Sequence, residues 1–236
     1  MTNALYLEDA YMKEFEAIVE SIKDNKYVVL DKTAFYPNAG GQPYDTGKFI
    51  KNNEEFNVVY AAKFGDVISH EVDKPGLQPG DKVKGIINWE RRYKLMRSHT
   101  AAHVLSAIFH KEIQALITGN QLDLDKSRID FDLENFDREK INDYVAKANK
   151  LIEKDLPVSS YYISREDALK RPEIARLAKG LPEAINTIRI VAIGDFDEQA
   201  DGGTHVKGLK EIGPLEIIKC ENKGKSNRRV YFRLKE

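Results

Sequence analysis

Apolar and polar residues alternate through Phe15-Glu16-Ala17-Ile18-Val19-Glu20-Ser21-Ile22, and after a turn at Asn25 the apolar run Tyr27-Val28-Val29-Leu30 follows. A two-residue period sends successive side chains to opposite faces, so both stretches read as strands of an antiparallel pattern. The same spacing predicts short strands at Gly47–Ile50, Glu55–Tyr60, Val67–Val72 and Lys82–Ile87. Pro75-Gly76 and Pro79-Gly80-Asp81 supply turns between the last two. Strands this short and this closely spaced suggest a small β-barrel that ends near Asn88. His70 falls within one of these alternating runs, where it reads as a strand-face residue and not as a ligand.

The period then changes. From Trp89 to about Gln114, Tyr93, Met96, Ala101, Val104, Leu105, Ile108 and Phe109 recur near helical spacing. Asn88 is placed to cap this helix, with Arg91 where a capping box would need an acid. Beyond it, Thr118-Gly119-Asn120-Gln121 reads as a turn and Ser127–Leu133 as a strand. Asp137 opens a helix to about Lys154, which Pro157 stops. Val158–Ile163 is the next strand. Ser164 with Asp167 starts a short helix or turn from Ala168 to Leu177 around Pro172. Thr187–Ile193 is a strand, and Pro214–Lys219 and Arg229–Leu234 are two more, joined by a basic turn from Asn222 to Asn227. The expected class is α+β, with residues 1–88 as the barrel and residues 89–236 as a second domain whose spine is the long helix.

Composition narrows the reading. A chain of 236 residues with 42% hydrophobic and 32% charged residues can bury one large core or two ordinary ones. It contains no apolar run of about 18 residues, and Met1-Thr2-Asn3-Ala4 lacks the basic and apolar regions of a signal peptide, so a cytoplasmic location without membrane contact is expected. One cysteine excludes an internal disulfide and a cysteine-rich zinc framework. Any metal must therefore be held mostly by histidine and oxygen. The net charge of −1 announces no nucleic-acid binder. Locally, however, Arg91, Arg92, Lys94 and Arg97 form one basic cluster, and Lys219, Lys223, Lys225, Arg228, Arg229, Arg233 and Lys235 form another. Facing one side they would make a rim for phosphates, and they fit equally as solvated faces of ordinary elements.

His99 and His103 are four residues apart on the predicted helix, so both imidazoles project from one face at a separation one ion can bridge. His110 lies too far along for the same ion. A third ligand must come from elsewhere, and His205 in Asp201-Gly202-Gly203-Thr204-His205 is the best source, because glycines let a short loop approach a helix. A second glycine-rich loop, Thr33–Pro43, is dense in residues that permit positive φ or fix it near −65°.

Three stretches together, Phe35-Tyr36-Pro37-Asn38-Ala39-Gly40-Gly41-Gln42-Pro43, Arg97-Ser98-His99-Thr100-Ala101-Ala102-His103 and Asp201-Gly202-Gly203-Thr204-His205-Val206 followed by Glu211-Ile212-Gly213, resemble alanyl-tRNA synthetase editing domains and their free-standing relatives, the AlaX proteins. The resemblance covers essentially the whole chain and implies the medium-length layout, a β-barrel with the glycine-rich loop followed by a two-layer α/β editing domain. One departure stands out: Asp201 occupies the place of the family's usual cysteine ligand. Asp201 can ligate through oxygen. An open water position and Cys220 are the other choices for a fourth ligand, and Cys220 also fits as a small apolar residue in a sheet.

The resemblance implies hydrolysis of the ester that joins serine, with glycine as a second candidate, to the tRNA for alanine. His99, His103 and His205 would hold Zn²⁺ with Asp201, and the ion would activate water, polarise the ester carbonyl or anchor the amino acid. A polar partner for the serine hydroxyl would discriminate against alanine, with Thr100, Thr118 and Gln121 as candidates. Arg91, Arg92, Arg97, Lys223, Arg228 and Arg229 would bind tRNA phosphates. Gly40, Gly41 and Gln42 would close over the acceptor end or brace the two domains. No obligate protein partner is expected. A tRNA-binding module with a structural zinc is the alternative reading, and a metal hydrolase of a small ester is a third.

Overall fold

A computed structural model describes residues 1–134, 137–171, 174 and 185–235. They form two compact units, one of Met1–His99 with Asn120–Ser127 and the other of Thr100–Gly119 with Arg128–Glu236.

In the first unit the two-residue strands β1 (Asn3–Ala4) and β4 (Lys32–Thr33) pair in parallel. The strands β2 (Glu14–Lys23), β3 (Tyr27–Leu30), β5 (Gly47–Lys51), β6 (Glu54–Phe64), β7 (Val67–Val72) and β8 (Lys82–Ile87) close into an antiparallel barrel in the order β2-β3-β7-β6-β5-β8. Alternation decides the inward face: Phe15, Ala17 and Val19 are buried along β2 while Glu14, Glu16 and Glu20 are exposed. Asn52 and Asn53 both adopt positive φ, 51° and 67°, between the paired residues Lys51 and Glu54. That is the two-residue hairpin whose twist matches its strands, and asparagine tolerates the left-handed backbone it needs. Irregularities in pairing between Val19 and Ser21 and between Val58 and Tyr60 bend the strands as closure requires.

Phe15, Phe35, Phe49 and Phe56 fill the barrel, each worth roughly 1.5–3 kcal/mol on burial. Phe35 and Phe49 meet the His70 ring edge-on, with centroids 5.5 and 5.3 Å away. His70 is wholly buried, with Nε2 2.9 Å from Thr33 Oγ1 and Nδ1 3.0 Å from Val28 O. It is a satisfied interior histidine.

Helix α1 (Trp89–Ile113) begins where Asn88 Oδ1 accepts the Arg91 N–H at 3.2 Å, and it stops at Gln114, whose φ is +55°. Its first turns carry a buried ion pair. Arg92 is fully buried, and its Nε donates to Asp45 Oδ1 and Oδ2 at 3.0 and 2.9 Å. Its Nη2 donates to Asp45 and to Ala34 O, and its Nη1 to Ala10 O. Asp45 in turn accepts the Tyr36 N–H at 2.6 Å. The sequence expectation that Arg92 binds phosphate is thereby corrected: its donors are spent inside the protein, and no surface remains for a ligand to reach.

The second unit holds two sheets. One has the order β14-β15-β10-β9, from β14 (Leu215–Asn222), β15 (Arg228–Leu234), β10 (Ser127–Phe131) and β9 (Ile117–Gln121). The other has the order β11-β12-β13, from β11 (Val158–Ser164), β12 (Thr187–Ile193) and β13 (Asp197–Ala200). The expected turn at Thr118–Gln121 is instead the strand β9, because pairing beside β10 outweighs a turn-like composition. Helix α2 (Arg138–Glu153) starts as its sequence predicts, with Asp137 accepting the N–H groups of Glu139 and Lys140. Helix α3 (Arg165–Lys170) starts with Ser164 accepting the Asp167 N–H. The expected continuation to Leu177 lies, apart from Ile174, outside the described residues. Phe109 of α1 stacks on Phe131 at 4.6 Å and meets Tyr144 of α2 edge-on at 5.1 Å. No helix among the described residues is long and apolar enough to cross a membrane.

Two predictions follow from these interiors. Burial holds His70 down at about 4, against 6.5 for the free residue, and its hydrogen bond to Val28 O offsets this only in part. The unfolded chain therefore binds a proton that the folded chain refuses. His70 leaves stability untouched above pH 6.5 and lowers it progressively as pH falls to about 4, by roughly 3 kcal/mol in all. Urea unfolding between pH 7 and pH 4 checks this, and a His70→Gln variant should show a shallower loss. Asp45→Ala strands a buried guanidinium and should cost about 3–5 kcal/mol in the same assay at pH 7. A cost under about 1 kcal/mol would mean the pair does not hold the unit together.

Candidate metal centre

The helix period builds half of the centre. His99 and His103 lie on α1 one turn apart, and 3.6 residues per turn puts both on one line of the helix surface. The other half comes from the loop after β13. Asp201 N–H donates to Arg189 O at 3.1 Å, and Arg189 Nη1 donates back to Asp201 O and Gly203 O at 3.0 and 3.2 Å. Asp201 Oδ2 accepts the Gly203 N–H at 2.5 Å, a side-chain turn that curls the loop until His205 Nε2 stands 2.9 Å from the same oxygen. His103 Nε2 is 4.0 Å from Asp201 Oδ1, and the His103 and His205 rings meet edge-on at 4.7 Å. One donor atom from each of His99, His103, Asp201 and His205 lies within 4.8 Å of the other three. The histidines are buried and Asp201 is half-buried.

This donor set fits one Zn²⁺. Three imidazoles and a carboxylate are its ordinary ligands, and at about 2.0–2.2 Å each in a tetrahedron, two ligands on one ion stand about 3.3–3.6 Å apart. The widest spacing in the group, up to 4.8 Å, needs to close by a little over an ångström. Cys220 lies on β14 opposite Val230 and is not in the group.

Two of the three imidazoles also have their outer ring nitrogen engaged. His99 Nδ1 is 2.9 Å from Gln42 Oε1, and His205 Nδ1 is 3.2 Å from Thr100 Oγ1. Such contacts fix the tautomer and would leave Nε2 to ligate an ion. Thr100 is fully buried and also accepts the Val206 N–H at 3.3 Å, so its hydroxyl stands behind a ligand ring. There it braces the His205 ring, whatever part it takes in reading a substrate hydroxyl.

The remaining expected residues are dispersed. Thr118 and Gln121 are exposed on β9. Gly40 is exposed, Gly41 half-buried and Gln42 buried. Arg91 lies over the Tyr44 ring and donates Nε–H to Tyr44 O at 3.0 Å, while Arg97 is half-buried. Lys223 is exposed and paired to Glu221 at 3.0 Å. Arg228 is buried and donates to Asn222 Oδ1, Gly224 O and Asn227 O, which closes the β14–β15 turn and corrects its expected role on a rim. Arg229 makes a two-pronged pair with Asp130 at 2.7 and 2.8 Å. Burial pushes the Asp130 carboxyl up, but Arg229 and Arg128 outweigh it and leave the group below the usual carboxylate range. The residue missed from the sequence is Arg189. Its signal was a lone charge inside the apolar run Thr187–Ile193.

Comparison with known proteins places this geometry. Residues 3–91 match the family model of class II (A) tRNA synthetases, and residues 188–231 match that of the threonyl and alanyl tRNA synthetase second additional domain. The alanyl-tRNA editing protein AlaX-M of Methanosarcina barkeri is 54% identical over 99% of both chains. The protein of the same name from Saccharolobus solfataricus is 44% identical over the full length of both. The alanine–tRNA ligase of Pyrococcus abyssi is 38% identical over 98% of this chain, which spans 26% of the ligase.

The centre makes its own prediction. Chelator-treated protein should take up one equivalent of Zn²⁺, and free ion at about 100 times its dissociation constant should stabilise the fold by about 2.7 kcal/mol. Calorimetric melting with and without the ion checks this. The gain should vanish in His103→Ala, whose apo form should melt near the apo wild type.

Proposed function

The chain belongs to the AlaX-M family of alanyl-tRNA editing proteins, and we propose that it is a trans-editing hydrolase that cleaves the ester of serine, and secondarily of glycine, on the tRNA for alanine. The convergence of His99, His103, Asp201 and His205 on one point carries this reading. These four residues hold Zn²⁺, and the bound ion supplies Lewis acidity and an anchor for the aminoacyl group. The protein's own groups then orient and select. Thr100 keeps the His205 ring facing inward, and Arg189 keeps the Asp201 loop in its curl.

Selection against alanine requires a group that hydrogen-bonds the serine hydroxyl. An apolar pocket discriminates poorly against an added hydroxyl, whereas a polar group left unpaired by alanine rejects it strongly. Thr118 and Gln121, exposed on β9, are the proposed readers. Arg91, Arg97 and Lys223 are the proposed phosphate contacts, with Arg229 secondary because Asp130 already holds it. Gly40 and Gly41 offer bare backbone to the acceptor end. The division of labour follows the chain, with residues 1–88 as the barrel carrying the glycine loop and residues 89–236 as the deacylase domain.

The decisive assay is deacylation of seryl- and alanyl-tRNA for alanine by the zinc-loaded protein beside His103→Ala. Serine should be released and alanine spared, with at least about a hundredfold loss in the variant. Tight tRNA binding with no release of serine would replace this reading with a binding module. Salt separates tRNA from a small ester as substrate, because KM should rise steeply between 50 and 200 mM salt only for a substrate held by its phosphates.

A further inference from the structure

We propose that Gln42 is a positioning residue of the metal centre, and that through it the glycine-rich loop sets how tightly the ion is held. The inference rests on the metal-centre reading above and goes beyond it, since the ligands alone assign the loop no part. Gln42 is 1% exposed, and its Oε1 stands 2.9 Å from His99 Nδ1. With Nδ1–H donating to that oxygen, the His99 ring is held in one orientation and Nε2 is the nitrogen left to ligate with the other three donors. Without the acceptor the ring loses this restraint on rotation about its Cβ–Cγ bond, and the ion must then select the right orientation at a greater entropic cost.

The loop is built to hold that oxygen still. Ala39 and Gln42 exchange backbone hydrogen bonds at 3.2 and 2.9 Å, closing a turn whose inner residues Gly40 and Gly41 have φ of +58° and +83°. Tyr36 Oη donates to Ala39 O at 3.1 Å. Gly41 O accepts the Leu122 N–H at 2.7 Å. A Cβ on Gly41 would fall 1.6 Å from Asn120 Oδ1 and 3.0 Å from Asn120 O, so only glycine lets the loop and the β9 end approach this closely. Three residues past Gln42, Asp45 is clamped by Arg92 on the same helix as His99. Both ends of the segment that carries Gln42 are thus fixed before the side chain reaches out.

The test measures metal, not turnover. Zn²⁺ dissociation constants are obtained by competition with a chromophoric chelator for wild type, Gln42→Met, which keeps the length and removes the acceptor, and Gln42→Glu, which keeps an acceptor. Gln42→Met should bind Zn²⁺ about 10- to 100-fold more weakly, and Gln42→Glu should return to within about threefold of wild type. The visible band of the Co²⁺-loaded protein should change in Gln42→Met and recover in Gln42→Glu. Apo melting temperatures report any general loss of fold. If Gln42→Met does not fold, Gln42→Asn withdraws the amide by one methylene and should weaken Zn²⁺ in the same way. Equal affinity in wild type and the acceptor-lacking variant, or a Gln42→Glu as weak as Gln42→Met, overturns the proposal while leaving the centre intact. A wild type that binds no Zn²⁺ removes the metal centre and the inference with it.

Discussion

The buried pair between Arg92 and Asp45 fixes the register on which the rest depends. A guanidinium with no exposed surface demands a partner for each of its nitrogens, and here Asp45, Ala34 O and Ala10 O supply them. His99 and His103 follow Arg92 by seven and eleven residues, and at about 100° per residue both return to within roughly 20° of its direction. The helix rotation that satisfies Arg92 is therefore the one that aims His99 at Gln42. Rotating α1 by a third of a turn would break the ion pair and scatter the ligands together. Well-packed apolar residues could replace such a pair with little loss of stability. What they could not reproduce is a direction.

The ligand loop uses a different device for the same end. Helices set side chains by period, whereas a five-residue loop needs cross-links. Arg189 reaches from β12 to two carbonyls of the loop, and the Asp201 carboxylate bonds the loop's own Gly203 N–H while facing His205. Asp201 thus shapes the turn and places an oxygen donor in the group that could hold an ion. A thiolate in that position would accept the N–H weakly, so the aspartate is the tighter local organiser of the two.

Much of this was legible in the chain. Barrel strands declare themselves because a closed single-layer sheet needs strict alternation, and α1 declares itself through Asn88 and a long apolar period. The i, i+4 histidines and the Gly-Gly-Thr-His loop pointed at each other for the same local reasons. Besides the two-residue β1 and β4, two strands escaped notice: β9 carries Gly119 and Asn120, and β13 is acidic, so their pairing is a tertiary fact without a local sign. Arg92 escaped more instructively. It sits among Arg91, Lys94 and Arg97 and reads as part of a basic face, while the carboxylate that internalises it is 47 residues upstream. Arg228 misleads in the same way, since a charged residue in a basic turn gives no hint that three oxygens of that turn already surround it.

The donor group contains no sulfur, and that sets its chemistry apart from a thiolate site. Peroxide carries thiolates through sulfenic to sulfinic and sulfonic acids, whereas carboxylates do not enter that ladder and imidazoles are far slower to be attacked. The chain's single thiol, Cys220, belongs to a strand outside the group, so its oxidation alters no ligand. A centre assembled from nitrogen and oxygen keeps its coordination under oxidants that would dismantle a cysteine-bearing counterpart.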